Sequence, residues 1–179
     1  MNLIKKIKIE KACKCNKCWI PNNPKLPLVL YSLDTNKFNN HNKNKSSKSS
    51  SNKYELADYI ENLILNSKTL KPLWRSTIYD FPHFHSTAHE LVSCYSGSAL
   101  IKFGGDSEES ITIKVSEGES VFIPAGVGHQ RIEEFSNFEC IGSYPLNMTA
   151  DLQYGKVEKF EECDKRISNL SSFDIPVFD

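Results

Sequence analysis

Three histidines and one glutamate have the clearest chemical meaning in this sequence. His83 and His85 stand two positions apart, Glu90 follows shortly after, and His129 comes after a stretch rich in proline and glycine. Residues two apart in a β-strand point to the same face, so His83 and His85 are expected to project together. A turn through residues 86–88 would reverse the chain and start a second strand at Glu90. A closed barrel can bring His129 to the same point, and we predict that the four side chains bind one metal ion.

The predicted ligand set suits a borderline divalent ion. Neutral imidazoles and one carboxylate fit Fe, Mn, Ni, Cu or Zn, and the sequence leaves the choice among these metals open. Four protein ligands in an octahedral arrangement leave two positions for water, dioxygen or a bidentate substrate. A divalent ion beside one carboxylate carries a formal charge of about +1. The site is therefore expected to favour anionic or chelating oxygen ligands.

Three further residues are candidates for catalytic roles. His89 neighbours Glu90, so in a regular strand its side chain points away from the metal ligands. We interpret it as a residue that does not bind the metal; support of the ligands, acid–base chemistry and a simple surface position stay open as its role. Arg131 and Tyr79 are the other candidate proton donors. The sequence does not pair any of them as acid and base.

The composition of the chain restricts its class. A length of 179 residues favours one domain, and 39% hydrophobic with 25% charged residues is ordinary for a soluble globular protein. Lys+Arg and Asp+Glu both number 22, so charge gives no reason to expect nucleic acid or an anionic membrane as a partner. The longest apolar run, residues 26–31 with a proline inside it, is too short to span a bilayer. We expect a small-molecule ligand or substrate instead.

The N-terminal sequence bears on location and on the cysteines. It has lysines without a continuous apolar stretch after them, which argues against a secretory signal and favours the cytoplasm. In a reducing compartment the six cysteines are expected to be thiols. Cys13, Cys15 and Cys18 form a C-x-C-x-x-C pattern that a zinc or redox site can also show. A structural zinc needs four ligands and no fourth one lies at the usual spacing, so we prefer free thiols on a mobile segment.

The sequence divides into three segments. Residues 1–19, which carry lysines and cysteines, are expected to be mobile, residues 20–163 form a single domain, and residues 164–179 are a tail that lies over the barrel or frays. Within the domain, residues 36–53 are almost entirely Asn, Lys and Ser. Such a stretch has too little apolar surface to offset its ordering entropy, and we predict a disordered insert.

Apolar periodicity predicts one helix followed by short strands. Residues 54–67 carry apolar side chains at helical spacing, and this helix is expected to pack on the outside of the sheet. Its predicted stripe comprises Leu56, Tyr59, Ile60, Leu63 and Ile64, widened by Leu65. The predicted strands are residues 28–31, 98–103, 111–115, 121–123 and 138–144. Short strands separated by turn signals are typical of an all-β sandwich or jelly-roll barrel.

The segments that carry the predicted ligands resemble the two cupin motifs. These are H-F-H-S-T-A-H-E at 83–90 with a glycine downstream, and G-E-S-V-F-I-P-A-G-V-G-H at 118–129. A finer resemblance is to the YjlB-like group of small single-domain cupins. It rests on I-P-N-N-P-K-L-P at 20–27, W-R-S-T-I-Y-D-F at 74–81 and G-S-Y-P at 142–145. The resemblance covers about residues 20–154. It implies a single-domain jelly-roll cupin barrel with its metal at the four predicted ligands.

The resemblance departs from the family pattern at two positions. Thr77 stands where the general first motif begins with glycine, and Glu133 stands where the second ends with asparagine. Neither position is a ligand in the family. The resemblance names no reaction, since cupins include dioxygenases, isomerases, decarboxylases and non-catalytic binding proteins.

Three functional hypotheses follow. The first is a mononuclear metal-dependent enzyme of oxygenase, isomerase or decarboxylase type that acts on a small polar or anionic substrate. The alternative is a non-catalytic module that binds a metal or a small ligand. In the third, the cysteine pattern and the 36–53 insert have an interaction role and the barrel is a scaffold. Exposed sheet edges invite pairing, so a homodimer is a further prediction.

Overall fold

Antiparallel β-strands make up most of the fold. The computed structural model of the chain describes residues 1–14, 19–34, 37–38, 53–170 and 173–176. Its strands are β1 (Asn2–Ile9), β2 (Cys13–Lys14), β3 (Trp19–Ile20), β4 (Asn23–Ser32), β5 (Leu70–Ser76), β6 (Glu90–Phe103), β7 (Ile111–Ser116), β8 (Glu119–Ile123) and β9 (His129–Pro145). Two helices of 14 and 10 residues accompany them in the described chain, α1 (Lys53–Asn66) and α2 (Phe160–Asn169).

The long strands β6 and β9 hold the sheet together. Seven strands pair in the order β1-β4-β8-β6-β9-β5, with β7 added beside β6, and β2 pairs separately with β3. The first part of β6, Glu90–Ser93, pairs with β8, whereas its last part, Ser98–Phe103, pairs with β7. Every pairing is antiparallel. The prediction of an all-β fold with a helix before the barrel core is confirmed.

Side-chain alternation along β6 separates two layers of packing. Val92 and Cys94 belong to the inner core of the sheet, whereas Leu91 and Tyr95 belong to the layer beneath α1. Glu90 shares the parity of Val92, so its side chain points to the inner side of the sheet. One buried strand therefore supplies the outer layer, the inner core and the carboxylate.

Helix α1 packs on the sheet as the periodicity predicted. Its buried residues are Leu56, Ala57, Ile60 and Ile64. Two pairs between Arg75 of β5 and the helix, to Asp58 at 2.6 Å and to Glu61 at 2.8 Å, tie it to the neighbouring strand. The prediction that Leu65 widens the apolar stripe is wrong, because Leu65 is 53% exposed.

The two ends of the chain differ from expectation. Residues 1–19 were expected to be mobile, whereas Asn2–Ile9 form β1 and pair with β4. Most side chains of this lysine-rich edge strand are exposed, so burial hardly alternates along it. The sequence therefore shows no clear period of two from which the strand could be predicted. Helix α2 was not predicted and crosses the boundary drawn after residue 163. Its buried face consists of only Cys163 and Ile167, too short a stripe to be recognised by its period.

The cysteine pattern and the insert fall mostly outside the described residues. Cys15, Cys18 and residues 39–52 are among those that the structure does not describe. Cys13 is buried beside Ile20 and Phe84, and the four described cysteines are free thiols. Among the described residues, no helix has the length and apolarity needed to cross a membrane.

Candidate metal centre

The structure brings His83, His85 and His129 together on the inner side of the sheet. His83 and His129 exchange backbone hydrogen bonds of 3.1 and 2.8 Å, which places their rings 4.1 Å apart. The His85 ring lies 5.7 Å from that of His129. One nitrogen from each ring lies within 4.8 Å of the other two, and all three residues are buried. We call this group the three-histidine cluster.

Glu90 lies against the same cluster. It is the first residue of β6, as predicted, and its side chain is 2% exposed. Its Oε2 atom is 3.4 Å from His85 Nε2 and 3.3 Å from His129 Nε2. The four predicted ligands therefore converge from two sequence segments onto one buried point.

Backbone carbonyls fix the orientation of the three imidazole rings. His83 Nδ1 lies 3.1 Å from the Phe81 carbonyl oxygen, and His129 Nδ1 lies 3.1 Å from that of Val127. His85 Nδ1 contacts the Asp151 carbonyl oxygen. A carbonyl only accepts, so each Nδ1 carries a proton, and Nε2 is the nitrogen that can bind a metal once any proton shared with Glu90 is displaced. Such fixed tautomers are what a metal-binding histidine requires.

The electrostatics of the cluster favour a cation. Burial, together with His129, lowers the pKa of His83 to about 3, so that ring is neutral near pH 7. Burial opposes ionisation of Glu90, but His85 and His129 outweigh it and hold the pKa of Glu90 well below its usual range. Burial likewise opposes a charge on His85, yet the Glu90 carboxylate raises the pKa of His85. A metal cation can enter such a carboxylate–imidazole pair by displacing its proton.

Tyr144 and Trp74 hold the Glu90 carboxylate. The Tyr144 hydroxyl donates to Glu90 Oε1 at 2.6 Å and accepts from Trp74 Nε1 at 3.1 Å. The Trp74 ring lies flat on Gly142, where a Cβ atom would be 1.9 Å from the ring. Oε1 is thus occupied by the phenol, and Oε2 is left to face the histidines.

Asp151 holds the turn between His85 and Glu90. Its carboxylate accepts from the Ser86 backbone N–H at 2.6 Å, the Ser86 hydroxyl at 2.5 Å and the Thr87 hydroxyl at 3.0 Å. Burial works against its ionisation, but these donors lower the pKa of Asp151. The same residue supplies the carbonyl that orients His85, so one loop after β9 fixes both the turn and a ring.

The loop that leads to His129 is held from the other side by polar side chains. Asn23 Nδ2 donates to the Ala125 carbonyl at 2.9 Å, and the Ala125 N–H donates to His89 Nδ1 at 2.9 Å. The Gly128 N–H donates to Asn22 Oδ1 at 3.3 Å. We call Asn22, Asn23 and His89 the loop clamp, because their side chains hold the loop that leads to His129.

The three candidate catalytic residues lie in different places. His89 does not line the cavity over the cluster; its ring packs between Phe122 and Phe173, and burial lowers its pKa to about 4. Arg131 is committed elsewhere, since its Nε atom donates to the Ile78 carbonyl at 3.0 Å and its Nη1 atom pairs with Glu134. Tyr79 alone lines the cavity, at its mouth, with a ring 5.1 Å from that of His83.

A cavity of about 440 Å³ opens over the cluster. Its walls come from the end of β5 and the segment after it, from the four predicted ligands, and from the loop after β9. Sequence reasoning gave no role to Tyr144, Trp74 or Asp151, although the first two lie in segments that carry the family resemblance. Nothing in the pattern around Asp151 marks it, because its contacts depend on a loop that packs back over the turn.

The chain has a bacterial relative among known proteins. The chain is 29% identical over 152 residues to the uncharacterized protein YjlB of Bacillus subtilis (strain 168), a match that covers 85% of this chain and 79% of the relative. No protein-family model matches the chain.

Two solved structures of 11S globulins are more distant. One, from Wrightia tinctoria and described as revealing an auxin binding site, matches with a TM-score of 0.35 and 18% identity over 46% of this chain and 21% of its own. Procruciferin from Brassica napus matches with a TM-score of 0.39 and 18% identity, over 56% and 31% of the two chains. Each match spans less than a third of the globulin chain.

Proposed function

We propose that the chain holds one divalent transition metal ion through His83, His85, Glu90 and His129. The observation that carries the proposal is that the Nδ1 atoms of all three rings face backbone carbonyls, which leaves Nε2 of each ring as the ligand atom. Those of His85 and His129 lie 3.3–3.4 Å from Glu90 Oε2. The donor set fits Fe, Mn, Ni, Cu or Zn. In the finer grouping, the similarity to YjlB and the shared motifs support a YjlB-like small cupin.

The activity that this centre supports best is a metal-dependent reaction of a small polar or anionic substrate, of oxygenase, isomerase or decarboxylase type. The bound ion would supply Lewis acidity toward substrate oxygen atoms. The chain's own residues bind and orient. Tyr144 keeps the Glu90 carboxylate in place, and Trp74 and Ile78 give the cavity an apolar wall. Tyr79 is the proton donor that we place nearest to a bound substrate.

Elemental analysis tests the metal proposal. Protein purified without added metal and without a polyhistidine tag is expected to contain nearly one equivalent of a transition metal. The His83→Ala/His129→Ala double variant, shown by circular dichroism to be folded, is expected to contain none. Absence of metal from both proteins after anaerobic reconstitution would refute it.

One observation favours a second candidate, a non-catalytic metal or ligand-binding module. His89 and Arg131, two of the three acid–base candidates, have their polar atoms engaged or directed away from the cavity. Saturable turnover of a keto acid, thiol, catechol or sugar, with or without oxygen, decides between the two. Turnover that disappears in folded His129→Ala protein would eliminate the binding module.

Two further predictions concern the whole molecule. Strands β1 and β5 end the strand order of the described sheet, and an exposed edge is where a homodimer would form. Light scattering that gives a strict monomer would end that idea. A cytoplasmic location likewise remains a prediction.

A further inference from the structure

Among the described residues, those that line the cavity over the three-histidine cluster include two acidic residues, Glu90 and Asp151, but no lysine or arginine. Two guanidinium groups contact lining residues without lining the cavity: Arg166 lies 3.5 Å from the Asp151 carboxylate, and Arg131 donates to the Ile78 carbonyl. Because Arg166 offsets the charge of Asp151, a divalent ion and the Glu90 carboxylate leave about one positive charge, which a single anionic group on a ligand neutralises. Nothing in this wall compensates a second negative charge on a ligand.

The polar atoms of the wall are largely satisfied within the protein. The Tyr144 hydroxyl joins Glu90 to Trp74, and the Asp151 carboxylate accepts from the turn. Of the buried side-chain atoms that lack a hydrogen-bond partner in the described chain, only Thr77 Oγ1 belongs to the cavity wall. The hydroxyls that a ligand can reach in this wall, those of the exposed residues Ser76 and Tyr79, carry no charge.

The remainder of the wall is apolar and aromatic. The Trp74 ring lies against Gly142 and forms one face of the wall, and Ile78 and Leu152 also line the cavity. At the mouth, Tyr79 is half exposed and stacks on Phe81 at 4.7 Å. Flat aromatic surfaces of this kind stabilise an uncharged aliphatic or aromatic body.

From these observations we propose a ligand class for the cavity: a small chelating monoanion with an uncharged aliphatic or aromatic body, such as a 2-hydroxy or 2-keto monocarboxylate. The inference rests on the proposed metal centre, which would take the carboxylate and the adjacent oxygen. Phosphorylated ligands and dicarboxylates are excluded, because a second charge would leave water for a wall without a cation.

A matched pair of probes tests the charge rule. The anions 2-hydroxy-4-methylpentanoate and malate share the same chelating end, and a carboxylate in malate replaces the isopropyl group. Each is titrated into cobalt(II)-loaded protein, the visible absorption of the bound cobalt is followed, and each affinity is corrected for binding to free cobalt(II). The monoanion is expected to bind at least about tenfold more tightly.

A positive charge introduced into the wall is expected to weaken the preference for the monoanion. Ser76 lines the cavity and is exposed, so a longer side chain fits there without disturbing the core. Ser76→Lys is expected to shrink or reverse the preference, whereas Ser76→Met, of similar length without charge, is expected to keep it.

The outcomes separate the two proposals. Protein that binds no cobalt overturns the metal centre itself. Cobalt-loaded protein that binds malate as tightly as the monoanion, or that binds neither probe, overturns the ligand class and leaves the metal centre standing. Metal content measured after each titration shows whether malate has merely extracted the ion.

Discussion

Replacement of Glu90 by glutamine is the sharpest test of the centre. The change keeps the shape of the side chain and removes a carboxylate that is 2% exposed and has Oε2 3.3–3.4 Å from two ring nitrogens. Breaking a buried charge pair costs about 3–5 kcal/mol. At about 1.4 kcal/mol per tenfold change, metal affinity should fall by about 100- to 4000-fold. Tyr144→Phe keeps the charge and removes two hydrogen bonds, of which only the one to Glu90 touches the carboxylate. That bond is worth about 1.5–3 kcal/mol, so the effect on metal affinity should be smaller.

The assay is a competition titration of cobalt(II) or zinc(II) against a chromophoric chelator, with the midpoint of thermal unfolding as the check on folding. Glu133→Gln is the matched control, since that carboxylate lies in β9 and is exposed. It is expected to bind metal like the wild-type protein. Glu90→Gln protein that binds metal within about threefold of the Glu133→Gln control, where about 100-fold is expected, would refute Glu90 as a ligand.

Three other predictions concern stability. The pKa values of His83 and His89 are about 3 and about 4 in the folded chain, against about 6.5 when unfolded, so unfolding takes up protons below pH 6.5. The two histidines therefore stabilise the folded metal-free protein fully above that pH. Below it, the free energy of unfolding falls by up to about 2.7 kcal/mol per pH unit, because unfolding takes up two protons. Urea midpoints that stay constant from pH 7 to 5 would contradict this. Asn22 lies in the loop clamp at φ 56°, a conformation that favours glycine. Asn22→Ala should lower the free energy of unfolding in urea by about 2–4 kcal/mol, and Asn22→Gly should lower it by about 1 kcal/mol less. Equal losses would show that backbone strain plays no part. Gly142→Ala should displace Trp74, lower stability by about 1–3 kcal/mol and change the tryptophan fluorescence, and an unchanged spectrum would count against the fixed ring.

Local patterns in the sequence were sufficient for much of the architecture. Alternation identified β7, and the helical stripe identified α1, because both repeat over several turns or pleats. These local patterns failed for β1 and α2. The edge strand β1 is mostly exposed and α2 has only two buried residues, so neither shows a clear hydrophobic period. Most of the predicted strands were also too short: residues 138–144 were expected where β9 runs from His129 to Pro145, since its exposed first half does not alternate.

The sequence by itself determined the types and spacing of His83, His85, Glu90 and His129. Spacing of two and a following turn are local properties, and they already require that three of these side chains approach one another. Only the tertiary structure decided how the site works. The carbonyls behind the rings, Tyr144 behind the carboxylate, the loop clamp and a cavity wall without a cation all arise from contacts between segments far apart in the chain. Such contacts depend on how the sheet and loops pack, which no local period encodes.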